Sequence, residues 1–165
     1  METILVWTGG MEFTSYFKGG TPRPEAGTAR AELGSLAIPM DSKPPFGKHS
    51  APTPKEVVLA GLLGCSAMDV VSLLRKWKEN FATYEMKAAA VQGPITEGVS
   101  YPTVFKEIDV EYEFTGDARA EKVIEAVKLS QTLYCGVSAM IAQTAEIRYT
   151  VVLNGEHVGS GKAEF

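Results

Sequence analysis

Two cysteines, Cys65 and Cys135, carry the widest chemical reach in this chain, and two histidines, His49 and His157, join them as candidate metal ligands or nucleophile partners. A structural zinc centre needs ligands at short, paired spacings, and cysteines seventy positions apart with two scattered histidines offer none. No Cys-x-x-Cys redox motif is present either. Spacing alone leaves two readings: thiols packed as small apolar side chains, or a nucleophilic Cys–His pair that uses His49. Two carboxylates bear on Cys65. Asp69 follows it by four residues on the same helical face, where a negative charge opposes thiolate formation. Glu56 precedes it by nine residues, which at ~100° and ~1.5 Å per residue turns it about 180° away and about 13 Å along the axis. Only a glutamate contributed by a second subunit would then serve the same site.

The elements that must position these groups follow from pattern. Thr53-Pro54-Lys55-Glu56 has the capping-box form, with Thr53 as N-cap, Pro54 at the first helical position and Glu56 reaching back. No charged side chain interrupts Val57 to Met68, and the helix continues to Arg75-Lys76-Trp77-Lys78. Asp69 breaks the run short of the ~18 uncharged residues of a membrane span, so the expectation is a buried core helix and no membrane partner. Before it, Thr3–Trp7, Met11–Phe17 and Thr28–Ile38 read as strands. Seven of the nine prolines fall between residues 22 and 54, making Asp41–Pro52 a long loop. After it come strands over Tyr84–Val91 and Thr103–Phe114. In the second, Ile108, Val110, Tyr112 and Phe114 alternate with Glu107, Asp109, Glu111 and Glu113, a buried face against a solvated one. Asp117 caps a second helix with apolar residues at Val123, Ile124, Val127 and Tyr134, another helical stretch covers Gly136–Ala145, and a hairpin turning at Asn154-Gly155 closes the chain.

This order predicts one α+β domain over residues 1–165 with mainly antiparallel sheet. A small sheet cannot cover a helix that is apolar on every side. Gly61, Gly64, Ser66 and Ala67, with Gly136, Ser138 and Ala139 later, allow close helix approach, so an obligate homodimer with the helices at its centre is expected. Sixteen basic against twenty acidic residues leave a net charge of −4, which argues against nucleic acid as a partner. Two cysteines and no basic-apolar leader point to the reducing cytoplasm.

The stretch Pro54–Val71, with Gly64-Cys65-Ser66-Ala67-Met68-Asp69 at its centre, resembles the central helix of the OsmC/Ohr family, the osmotically inducible and organic-hydroperoxide-resistance proteins. Leu133-Tyr134-Cys135-Gly136-Val137-Ser138-Ala139-Met140 is similar to the family's second cysteine motif. Trp7-Thr8-Gly9-Gly10-Met11 and Pro102-Thr103-Val104-Phe105 match more weakly. The resemblance implies an intertwined homodimer, with long central helices packed against β-sheets and sites at the subunit interface. It implies a thiol-dependent peroxidase of organic hydroperoxides in which Cys65 is peroxidatic, Cys135 resolves, and a lipoyl-type dithiol restores the pair. No metal, haem or flavin cofactor is implied, because sulfur carries the electrons. Apolar neighbours of Cys65, among them Val58, Leu62 and Met68, would favour bulky alkyl or aryl hydroperoxides. The chain departs from the hydroperoxide-resistance pattern where that pattern has an arginine and a glutamate. Thr21 follows Gly19-Gly20, with Lys18 and Arg23 the nearest basic residues, and Lys55 occupies the glutamate position with Glu56 beside it. Glu56 is therefore the candidate third site residue, and Arg30 another candidate for steadying a thiolate. The alternative is a non-enzymatic small-ligand-binding or structural dimer that keeps the fold without the activating arginine.

Overall fold

A computed structural model describes residues 3–9, 12–17 and 36–165. The chain's contacts group into two compact units, Met1–Val58 and Leu59–Phe165. In the first, β1 (Thr3–Gly9), β2 (Glu12–Phe17) and β3 (Leu36–Met40) form an antiparallel sheet in that order, with Thr3 opposite Phe17 and Phe13 opposite Met40. The strand expected from Thr28 is thus seen at its end, and residues 28–35 lie outside the described residues. The proline-rich segment that follows is organised by one buried carboxylate. Asp41 accepts the N–H groups of Ser42 (2.7 Å), Lys48 (3.1 Å) and Ser50 (2.9 Å) and the Ser50 hydroxyl (2.9 Å). These donors, Ser50's N–H foremost, hold it below the usual carboxylate range. The Asp41 N–H bonds the Pro52 carbonyl at 3.1 Å and closes the loop.

Helix α1 spans Pro54–Lys76 and begins with the capping box that Thr53 and Glu56 foretell. The Thr53 N–H donates to Glu56 Oε2 at 2.7 Å, and the Glu56 N–H donates to Thr53 Oγ1 at 3.4 Å. Burial along α1 differs from the all-round burial expected of it. Leu62, Ser66, Val70 and Leu74, one residue every four, are buried, whereas Met68 remains 69% exposed. By length and composition α1 could cross a bilayer. Its buried stripe belongs instead to a packed core, with Ile108, Val110, Tyr112 and Phe114, then Val123 and Val127, then Ile147 and Val151.

The second unit's sheet runs β4 (Thr83–Pro94), β5 (Thr103–Thr115), β6 (Glu146–Leu153), β7 (Glu156–Lys162), in that order. It is mixed. β4–β5 and β6–β7 pair antiparallel, but β5 and β6 are parallel, from Glu107 opposite Glu146 to Phe114 opposite Leu153. A parallel pair needs a long crossover. Here it comprises α2 (Ala120–Leu129), a π-helical turn (Ser130–Tyr134) and α3 (Gly136–Ile141). Two expectations change in this crossover. Asp117 does not cap α2: Arg119 is its N-cap, held by Glu79, which accepts both the Arg119 N–H and its guanidinium. Tyr134 is not part of α2, because the π turn intervenes. The acidic face of β5 is paired rather than merely solvated, with Arg148 bridging Glu107 and Asp109 (both 2.7 Å) and Lys87 bridging Glu111 (3.1 Å) and Glu113 (3.2 Å).

Candidate functional site

Cys65 lies midway along α1, one position before the buried stripe residue Ser66, and is half-buried. Cys135 is the N-cap of α3, fully buried, and its Sγ accepts the Ser138 N–H at 3.4 Å. The crossover therefore carries the second thiol back to the first. The Sγ atoms of Cys65 and Cys135 and a carboxylate oxygen of Asp69 all lie within 4.8 Å of one another. Burial pushes the Cys135 thiol up, Ser138 opposes that shift, and the neighbouring Cys65 adds to it. Two sulfurs and a carboxylate oxygen are also donors that a zinc ion accepts, though a closed tetrahedral site needs a fourth ligand.

Asp69 sits over a buried hydrogen-bonded cluster that pattern alone did not disclose. Ser130 donates to Asp69 Oδ2 at 3.1 Å, and the Ser66 hydroxyl lies 2.8 Å from Ser130 Oγ and 2.6 Å from the Tyr112 hydroxyl. Gln131 Nε2 donates to both Ser66 Oγ (3.1 Å) and the Tyr112 oxygen (2.8 Å). Ser66, Tyr112, Ser130 and Gln131 are all fully buried. Burial raises the Asp69 carboxyl above its ordinary value and Ser130 partly offsets this; among the described residues no cation contributes. Two buried polar atoms, Gln131 Oε1 and Ser138 Oγ, lack hydrogen-bond partners among the described residues. The signal in the sequence was the adjacent polar pair Ser130-Gln131 inside an apolar helical stretch, and Ser66 three residues before Asp69. Read by size, Ser66 and Ser138 looked like residues for helix approach. Fully buried, they hold polar groups beside the thiols.

Glu56 is placed in the N-terminal unit's own cap. Its Oε2 accepts the Thr53 N–H (2.7 Å) and hydroxyl (2.9 Å), Oε1 pairs with Lys43 (3.0 Å), and His49 Nε2 stands 3.8 Å from Oε2. The Thr53 N–H, then Lys43 and the Thr53 hydroxyl, bring its pKa down to about 2. Among the described residues its side-chain partners are thus Thr53, Lys43 and His49. Lys18, Thr21, Arg23 and Arg30 lie outside the described residues.

Paired thiols on a long helix and a crossover cap are set in a chain whose residues 47–150 match the family model described as OsmC-like protein. The chain belongs to the OsmC-like family. Among curated relatives, this OsmC-like chain is similar to Protein YhfA of Escherichia coli (strain K12), at 34% identity over 101 residues, covering 61% of this chain and 72% of that one. Among solved structures, the OsmC-like protein from Mycoplasma pneumoniae superposes with a TM-score of 0.70 at 15% identity, covering 92% of this chain and 95% of that one. An organic hydroperoxide resistance protein from Elizabethkingia anophelis superposes at 0.65 and 15% identity, covering 93% and 97%. At such identities these two likenesses establish the fold.

Proposed function

We propose that this OsmC-like chain is a cytoplasmic thiol peroxidase that reduces organic hydroperoxides. The observation that carries the reading is the convergence of Cys65 and Cys135 within 4.8 Å, one half-buried and one fully buried. The accessible sulfur suits attack on a peroxide, and the protected one suits resolution. The Cys65 thiolate attacks the outer peroxide oxygen, the O–O bond breaks, and the alkoxide leaves with a proton as alcohol. Cys65 becomes a sulfenic acid, which condenses with the Cys135 thiol to a disulfide and water. A small dithiol, of the lipoyl type, then exchanges with that disulfide and restores both thiols. The name of the Elizabethkingia anophelis relative supports the substrate class. So do the exposed apolar side chains that flank the thiols in sequence, Met68 after Cys65 and Leu133 and Tyr134 before Cys135. They favour alkyl or aryl hydroperoxides over hydrogen peroxide, since buried apolar area contributes ~25 cal/mol per Å².

The functional unit proposed is a homodimer. A side chain at Gly61, Gly64 or Gly136 would meet nothing within 4 Å, and Met68 and Met140 are both 69% exposed. A second copy covering these surfaces would exclude water from apolar area that one chain leaves wet. Sedimentation at micromolar concentration should give twice the chain mass, and a compact monomer there refutes the dimer. For the peroxidase, one equivalent of cumene hydroperoxide should take the reduced protein from two titratable thiols per chain to none. Cys65→Ser should consume no peroxide, and Cys135→Ser should stop after one turnover with a trapped sulfenic acid. Thiols that stay titratable in the wild type would support the non-enzymatic binding reading instead.

A further inference from the structure

The hydrogen-bonded cluster beneath Asp69 has one self-consistent direction while Asp69 is ionised. A carboxylate only accepts, so Ser130 donates to Asp69 Oδ2. With its single hydrogen used, Ser130 Oγ accepts from Ser66, and Ser66 in turn accepts from Tyr112. Gln131 gives its two amide hydrogens to Ser66 and Tyr112, the far end of the chain. Three hydroxyl dipoles in series therefore point at one carboxylate oxygen. They hold a half-buried Asp69 in place without a cation among the described residues, and its carboxylate lies within 4.8 Å of both sulfurs. That separation is the span of one bridging water.

We propose that Asp69 is the proton-transfer residue of the disulfide-forming step, a role that rests on the peroxidase reading of the Cys65–Cys135 pair. Cys135 is fully buried and must lose its proton to attack. Asp69 takes that proton as the Cys135 sulfur attacks the sulfenic sulfur of Cys65. The S–S bond forms, the S–O bond breaks, Cys135 is oxidised and the Cys65 sulfur reduced. Asp69 passes the proton to the departing hydroxide, which leaves as water, and the carboxylate is regenerated. Desolvation favours this exchange from both sides, raising the basicity of Asp69 and leaving bulk water a poor base for Cys135. Among the described residues, the other titratable groups around Asp69 are Cys65 on α1, Tyr134, which borders the same open depression, Tyr84 from β4, and Tyr112 from β5 at the far end of the hydroxyl chain, which burial also pushes up. Burial pushes the Tyr84 hydroxyl far above the physiological range, so it stays neutral throughout.

The test is a single-turnover reaction of reduced protein with one equivalent of cumene hydroperoxide, quenched at intervals. Dimedone adducts at Cys65 report sulfenic acid, and loss of both thiols reports disulfide. In Asp69→Asn the disulfide should form on the order of 100-fold more slowly at pH 7, the low end of general acid–base contributions, with sulfenic acid accumulating. Its rate should climb with pH as hydroxide replaces the missing base, whereas the wild type stays flatter, and Asp69→Glu should recover most of the rate. Ser130→Ala, which leaves the carboxylate but removes its hydrogen-bond donor, should slow the step less and serves if Asp69→Asn does not fold. A wild-type rate and pH profile in Asp69→Asn, or in Ser130→Ala where Asp69→Asn is unfolded, overturns the role of Asp69 alone. A wild-type protein that keeps both thiols overturns the peroxidase reading and this inference together.

Discussion

Ser66→Ala is the sharpest probe of the cluster that joins α1 to the sheet and crossover, because one oxygen there has three partners. Ser66 Oγ meets Tyr112 at 2.6 Å, Ser130 at 2.8 Å and Gln131 Nε2 at 3.1 Å, and all four side chains are fully buried. Removing that oxygen leaves the Tyr112 hydroxyl hydrogen and one Gln131 N–H without an acceptor. Ser130 keeps Asp69. Each orphaned buried donor costs ~1–3 kcal/mol, so the two together cost about 2–6 kcal/mol. The better helix propensity of alanine returns at most ~0.7 kcal/mol. A net loss of about 1.5–5 kcal/mol remains, a large share of the ~5–15 kcal/mol that stabilises a typical domain. Urea denaturation of the reduced protein at fixed concentration measures it, and at ~1–3 kcal/mol/M the midpoint should fall by at least about 0.5 M with an unchanged slope. Ser72→Ala is the matched control, since this exposed helical serine, among the described residues, bonds only back to the Met68 carbonyl at 2.7 Å. It should be neutral or slightly stabilising, by a few tenths of a kcal/mol at about the alanine preference. If Ser66→Ala lies within ~0.5 kcal/mol of Ser72→Ala, the cluster is not a bonded unit and the reasoning fails.

Three further outcomes follow from other parts of the molecule. The Glu56 pKa is depressed from 4.5 to about 2, so its contribution to stability is present above pH 4.5 and is lost as pH falls towards 2. Melting temperatures of wild type and Glu56→Gln should accordingly converge over that window, and a constant gap down to pH 2 would exclude the linkage. Iodoacetamide on the folded, reduced protein should label half-buried Cys65 well before buried Cys135, as peptide mass mapping will show, and equal labelling rates would contradict the burial. Gly155→Ala should cost about 1 kcal/mol in urea denaturation, because its φ of 80° disfavours any Cβ although space for one is open; no loss would mean that the turn is not held there.

Reading by period located the long elements, because their patterns are local. The capping box at Thr53–Glu56, the alternation along β5 and the Asn154-Gly155 turn each fix their element without help from distant residues. The parallel β5–β6 pairing was not legible, since it is chosen by how the crossover packs and not by either strand's pattern. Asp117 misled because a capping residue type stood two positions early, while Glu79, some forty residues away, fixes the true start at Arg119. At the site, Cys65 and Asp69 were visible as types on one face of α1. Their meeting with Cys135, and the roles of Ser66, Tyr112, Ser130 and Gln131, depend on contacts between residues 19 to 70 positions apart, which no local pattern encodes.

The π-helical turn at Ser130–Tyr134 constrains how this sequence can change in length. Its signature bond runs from the Cys135 N–H to the Ser130 carbonyl at 2.9 Å, five residues back, so the turn holds one residue more than an α-helical path would. Deleting Thr132 would remove that extra residue and let the path run as regular α-helix, leaving Cys135 on about the same side of the crossover. An insertion, with no second bulge to absorb it, would rotate everything after it by ~100° and take the Cys135 sulfur off the side that faces Cys65. The segment between Gln131 and Cys135 is therefore asymmetric as a ruler. A lineage that lost one position in it would keep the pair together, and one that gained a position would keep both cysteines and still separate them.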